Sequence, residues 1–474
     1  MAGIGFRLQR LLRRETYFGD MQAYLYAALI SSGPLVLSII SLSVLGLAVQ
    51  AFRSPAMTLF FTSVTFIYST SMILTGSVQL VLVRCAADAD YGGRRELLWP
   101  LLCRFMAVAV PVQLVFASAF FFFCTDTSPV FQVSCVFLSV QVGMMWLLSE
   151  LLTAMKSYNR VVGSYAVGYA ASCLLGWLAF RTFGPDWLMA GFAAGHFLLV
   201  ALLLGCIRRE TPAAVGGATS RTFRSAMSAY RTIALCGLAY NVGIWADKFL
   251  FWYFGDGRIQ VNGLLYAMPL HDQAVYLGFL SIIPGMAVFL LKFETEFSAH
   301  YADFFRDVVG KAPLKILEER RLGMVVSLRR EVIQLVKYQG SFTLVLLLLA
   351  DRIMPTLGLG ALQTGVFQIV LLGSFLLVLF LTFLTVLFYL DERRSALLCC
   401  LVFAGTNIAV TGASIWFGEQ WYGVGYVAAA MAGLALSSHL AEKHLGDLLF
   451  VTFCSQPMYP ELAESAAEAG PENA

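Results

Sequence analysis

From Tyr24 to about Ala441 the chain is a succession of roughly a dozen long apolar stretches separated by short polar loops. Inside a bilayer a backbone has no water to bond with, so a helix of about twenty apolar residues is the simplest way across. A chain of 474 residues that is 59% hydrophobic and 13% charged cannot clothe a soluble core in polar surface. The pattern predicts an all-α polytopic membrane protein with spans at about 22–50, 56–84, 99–124, 129–155, 161–182, 187–207, 232–255, 273–296, 332–356, 362–390, 394–417 and 420–443.

Charge then orients these spans. With the N-terminus in the cytoplasm, 26 of the 32 Lys and Arg fall on cytoplasmic loops, nine of them between Lys292 and Lys337. Such a bias predicts an even number of crossings and cytoplasmic termini. The first twenty residues are basic, but the apolar run behind them is too long for a cleaved signal, so a retained first span is expected. The ten cysteines show no Cys-x-x-Cys spacing and read as small apolar residues, which leaves neither a metal site nor a cofactor expected.

The chain divides into an N-terminal six-helix lobe (1–207), a cytoplasmic linker (208–231) rich in Gly, Ala, Ser and Thr, a C-terminal six-helix lobe (232–453), and an acidic tail (454–474) expected to be disordered. A cytoplasmic loop at about 293–337 interrupts the second lobe. Its aromatics Phe297, Tyr301 and Phe304 recur at helical steps, giving an amphipathic helix that either connects spans as a solvated hairpin or docks a cytoplasmic partner.

No catalytic signature stands in a suitable context, so no enzymatic activity is expected. Ionisable residues inside spans are then the functional pointers, because charge is costly there. Arg104 and Glu150 each lie roughly 8 to 9 Å from the cytoplasmic face at 1.5 Å per residue, where they either pair or snorkel separately. His196 is roughly 14 Å deep on the same scale, as a neutral hydrogen-bonded group or a protonation site. Asp247 and Lys248 are sequence neighbours pointing about 100° apart on a helix, so they cannot face one another well, and at least one is expected to seek a partner on another helix or in water. Two roles stand for them: a water-lined path or lock, or an interfacial anchor aided by Trp245 and Trp252.

Backbone breaks add a second pointer. Ser31-Ser32-Gly33-Pro34 in the first span and Asn241-Val242-Gly243 in the seventh lie at similar depths, as expected of two bundles facing one central cavity.

Five stretches in order, MAGIGFRLQRLLRR, ISSGP, SELLTAMKSYNR, NVGIWADKFLFW and IPGMAVFLLKFETEFSAHYADFF, resemble the PelG family of Pel exopolysaccharide inner-membrane transporters, and helix count carries the match to about Phe453. The resemblance implies the multidrug/oligosaccharidyl-lipid/polysaccharide exporter fold, two six-helix bundles around a cavity that opens to either side in turn. It also implies partners: a cytoplasmic glycosyltransferase making an N-acetylgalactosamine-rich polymer, and membrane subunits including a cyclic-di-GMP receptor. It assigns no transport residue. Two other transporter readings stay open, a lipid-linked oligosaccharide flippase and a cation-coupled drug exporter, beside a non-transporting scaffold for the glycosyltransferase.

Overall fold

The computed structural model describes residues 27–28, 33, 36–46, 55–211 and 223–454. A short apolar helix α1 (Val36–Gly46) precedes α2 (Pro55–Tyr91), α3 (Leu98–Phe123), α4 (Pro129–Ala154), α5 (Tyr158–Phe183) and α6 (Leu188–Glu210). The second half opens with α7 (Phe223–Ala229), α8 (Arg231–Phe254) and a hairpin of β1 (Ile259–Asn262) antiparallel to β2 (Leu265–Ala267). It continues through α9 (Pro269–Leu280), α10 (Ile282–Lys292), a π-helical turn at Phe293–Phe297, α11 (Ser298–Val309) and α12 (Leu314–Thr356). The last elements are α13 (Ala361–Tyr389), α14 (Arg393–Phe417), α15 (Val424–Gly446) and α16 (Leu448–Cys454).

Among the described residues, 10 helices are long and apolar enough to cross a membrane. The expected first span is described only in part, and the expected seventh is α8, whose Asn241, Asp247 and Lys248 make it more polar than the ten. Pro34, the basic first twenty residues, most of the linker and nearly all of the acidic tail lie outside the described residues.

Close packing within the first half depends on missing side chains. A Cβ on Gly195 of α6 would stand 2.2 Å from the backbone of Ser172 on α5, and one on Gly191 would stand 2.2 Å from the Leu175 carbonyl. Without a hydrophobic driving force between helices in lipid, such small residues let backbones approach and gain dispersion contact.

The two halves meet where α2 lies along α8. At its middle the contact is nearly backbone to backbone, since a Cβ on Gly237 would fall 2.2 Å from the Gly76 carbonyl oxygen. Toward one end, here the Tyr230 face, the Tyr230 hydroxyl donates to Asp88 and Arg84 reaches Asp391 at 3.6 Å. At the opposite, hairpin face, the loop after α3 is gripped by the β1–β2 turn. Leu264 N–H donates to the Cys124 carbonyl at 2.8 Å, Asp126 N–H donates to Asn262 Oδ1 at 2.7 Å, and Asn262 Nδ2 donates back to the Asp126 carbonyl at 3.1 Å. Gly263 sits in the turn at φ +51, where a Cβ would lie 2.1 Å from the Cys124 oxygen, so glycine is required on both counts.

Two expectations about the 293–337 segment are corrected. From Leu314 on it is no loop but the first part of α12, an unbroken 43-residue helix that runs into the expected span at 332–356. At 1.5 Å per residue that is about 65 Å, roughly twice the hydrocarbon thickness, so a large part projects beyond the membrane. The proposed docking ridge is also turned inward. Phe297 and Phe304 are fully buried, and Tyr301 is half-buried. Phe293, Phe297 and Tyr301 all pack edge-on against Tyr389 of α13, because the apolar stripe of an amphipathic helix is consumed by the nearest apolar surface. Phe304→Ala should therefore cost about 3 to 5 kcal/mol, as large aromatic truncations in packed cores do. Thermal unfolding in detergent should show a clear loss for that variant and no change for Val309→Ala at the exposed tip.

Candidate functional site

The charged residues of α8 form a buried cluster beneath the hairpin. Lys248 Nζ lies 3.0 and 3.2 Å from the two carboxylate oxygens of Asp247 and donates a third bond, at 2.9 Å, to the carbonyl of Ile244 one turn back. The two neighbours thus face one another better than expected, while Asp247 also faces His271 on another helix, as expected of at least one of them. The long lysine stem bends back along the helix, and its head can reach a group pointing about 100° away. Asp247 is 1% exposed and Lys248 4%, so neither sits at an aqueous interface in this conformation. The ammonium also lies over the rings of Phe279 at 4.8 Å and of Trp245 and Tyr426 at 5.6 Å, which replace part of its hydration.

Two residues that sequence reasoning passed over complete the cluster. His271, 0% exposed, lies at the start of α9 with Nε2 3.5 Å from Asp247 and Nδ1 3.6 Å from Asp272. The Asp272 carboxylate accepts from the Trp252 indole N–H at 2.9 and 3.0 Å and from the Met268 backbone N–H at 2.9 Å. It thereby fixes the end of the hairpin to the end of α8. The available signal was the adjacent His-Asp pair just ahead of an apolar run, in PLHDQAVY.

The expected break at Asn241 and Gly243 is not one, because α8 runs unbroken from Arg231 to Phe254. Both residues serve close approach instead. Asn241 Nδ2 donates to the Gly237 carbonyl at 2.9 Å and presses on Gly76, while Gly243 admits the Phe403 ring and its carbonyl accepts from Asn407 Nδ2 at 2.7 Å. Gly33 is helical and faces Val162, while Ser31, Ser32 and Pro34 beside it lie outside the described residues.

The other candidates lie apart in the first half. His196 is buried among Tyr68, Ser172 and Phe192, with Nε2 2.9 Å from the Tyr68 hydroxyl and Nδ1 2.9 Å from Ser172 Oγ and 3.1 Å from the Phe192 carbonyl. A carbonyl can only accept, so Nδ1 carries the proton and Nε2 accepts from Tyr68, whose oxygen then accepts from Tyr169 at 2.7 Å. Every polar atom of a neutral imidazole is satisfied in this arrangement. Glu150 lies on the exposed surface of α4 and Arg104 is half-buried on α3, and no ion pair joins the two among the described residues.

Removing one partner of a buried pair strands the other charge at about 3 to 5 kcal/mol. Lys248→Met alone should destabilise by that order, and Asp247→Asn combined with Lys248→Met should recover a substantial part of the loss. A double-mutant cycle on thermal unfolding in detergent measures the coupling, and simple additivity would show that the pair contributes nothing.

Solved structures share this fold. A crystal structure of a MATE mutant superposes with a TM-score of 0.64 at 10% identity, covering 94% of this chain and 99% of that one. A multidrug resistance MATE family transporter of the MOP superfamily gives 0.63 at 12% identity in its outward-facing conformation and 0.56 at 11% in an inward-facing one. The outward-facing match covers 89% of this chain and 96% of that one, and the inward-facing match 89% and 94%. No curated protein sequence matches. Ten apolar helices among the described residues take a MATE-like fold, the exopolysaccharide exporter (EPS-E) family model matches residues 1–453, and the chain belongs to the PelG family of membrane transporters.

Proposed function

We propose that this protein exports a growing, largely uncharged, N-acetylgalactosamine-rich exopolysaccharide from a cytoplasmic glycosyltransferase across the bacterial inner membrane. The glycan passes between two six-helix lobes, the first completed by the span at 22–50 and the second by α8, with both termini and the Tyr230 face cytoplasmic. Membership of an exopolysaccharide exporter family supplies the class of cargo.

The observation that carries the choice of cargo is the state of Lys248. It is a basic group within the spans close to the α2–α8 contact, and it is bound to Asp247, the Ile244 carbonyl and three aromatic rings. A lipid-linked oligosaccharide would need free cationic groups for its pyrophosphate, whereas a neutral glycan needs hydroxyl partners and ring faces. Trp245 offers both, since its indole N–H is buried without a hydrogen-bond partner among the described residues. The partners in this reading are the glycosyltransferase and other membrane subunits, a cyclic-di-GMP receptor among them, as the resemblance to Pel transporters implies. A cytoplasmic partner reaching the 293–337 segment meets the exposed Leu322 and Val326 of α12, because Phe297 and Phe304 are turned inward.

Passage between the halves requires the α2–α8 contact to open. Leu264→Cys places a thiol near native Cys124, and a short bifunctional thiosulfonate, which forms a disulfide with each thiol as its sulfinate leaves, would tie the hairpin to the first half. Secretion by cells should stop on crosslinking and return on reduction, in a background where exposed Cys103 and Cys454 are replaced. Undiminished secretion by the crosslinked protein would reject this route.

A further inference from the structure

His271 presents a charge problem that hydrogen bonding does not solve. Each of its ring nitrogens faces a carboxylate, Nε2 toward Asp247 and Nδ1 toward Asp272, and neither makes a well-shaped hydrogen bond. A neutral imidazole carries one N–H, so in either tautomer a lone pair would oppose a carboxylate oxygen in a site closed to water. Charge counting gives the same answer. Asp247, Lys248 and Asp272 sum to one negative charge, and an excess charge so largely shielded from water is costly. One proton on His271 brings the group to zero and gives each carboxylate an N–H to face.

Among the described residues, the elements packed around the cluster bring few other charges near it, and Asp351 and Arg352 at the hairpin end of α12 are exposed. α8 contributes Asp247 and Lys248, and α9 contributes Asp272. α13, packed on α9, contains no charged residue, and the charges of α14 and α2 lie at their Tyr230 ends. From the last span come only the phenols Tyr422, against Phe251, and Tyr426, against Lys248, with Glu419 beyond them near Gly257. Phe251 covers the imidazole at a ring distance of 4.4 Å.

We infer that the Asp247–Lys248–His271–Asp272 cluster is a proton-binding site, and that the proton on His271 holds the hairpin face closed. The link is mechanical. Asp272 anchors Met268 immediately after β2, and the β1–β2 turn grips Cys124 and Asp126 of the first half. When His271 is neutral, the excess negative charge draws Asp272, already 26% exposed, toward water. The hairpin then loses its anchor, and its hold on the first half weakens. The closed state is therefore favoured at low pH and lost as pH rises. The purpose of such a latch rests on the export reading, but its existence does not.

Thr125 is buried under the hairpin, so in a background where Cys103, Cys124 and Cys454 are replaced the thiol of Thr125→Cys reports opening. Its labelling rate in purified, liposome-reconstituted protein is divided by that of Trp416→Cys, an exposed site, to remove the pH dependence of the reagent. The normalised rate should be roughly tenfold higher at about pH 8 than at about pH 5.5, the interval in which imidazoles titrate. His271→Gln should label fast at both pH values, and His271→Lys, permanently cationic, slowly at both. A flat normalised profile in the otherwise native chain, or a pH response retained by His271→Gln, overturns the inference. Secretion measured in parallel separates the two readings: crosslink-sensitive secretion with a flat profile leaves export standing without the latch.

Discussion

The near-touching backbones of Gly76 and Gly237 are the contact on which the rest of the structure depends. With any side chain at either position α2 and α8 would stand further apart, and the polar bonds at both ends of the contact would lose their reach. Lipid offers no hydrophobic push to bring two helices together, so adhesion comes from contact area and from the few bonds that bracket it. Such a contact is tight in the middle and fastened at its rims. It can part without exposing a large apolar core to water.

Buried polarity in this protein takes two forms. Around His196 every donor meets an acceptor, through Tyr68, Tyr169 and Ser172, and the result is a rigid, neutral network that specifies how α2, α5 and α6 pack. Around His271 the groups are charged, imperfectly aligned and one proton from imbalance. The first kind of network stabilises one arrangement. The second makes the energy of an arrangement depend on what is bound to it.

Helices and their order were legible in the sequence because hydropathy at helical length is a strong signal, and most expected spans coincide with observed helices to within a few residues. The residue readings fared unevenly for physical reasons. Asn241 and Gly243 look like a break in one dimension, yet small and amide residues equally mark a place where two helices touch, and only the neighbours Gly76 and Phe403 decide between these. The aromatics Phe297 and Phe304 show an amphipathic face but not what covers it, and Tyr389, more than eighty residues later, does so. His271 gave almost no signal, since a histidine at the start of an apolar run reads as a boundary residue until Asp247 is brought beside it by the fold.

The length of α12 carries a geometric consequence of its own. A single helix that passes from lipid into water without a joint behaves as a lever whose pivot is the membrane surface. With an outer arm of about 30 Å, a tilt of about 10° inside the bilayer sweeps the far end through about 5 Å, since a continuous hydrogen-bonded helix resists sharp bending. The α11–α12 turn, with Val309 and Leu314 exposed at its tip, is therefore an amplified readout of the orientation of the membrane-embedded half. Small rearrangements between the helices are displayed, magnified, on the surface farthest from them.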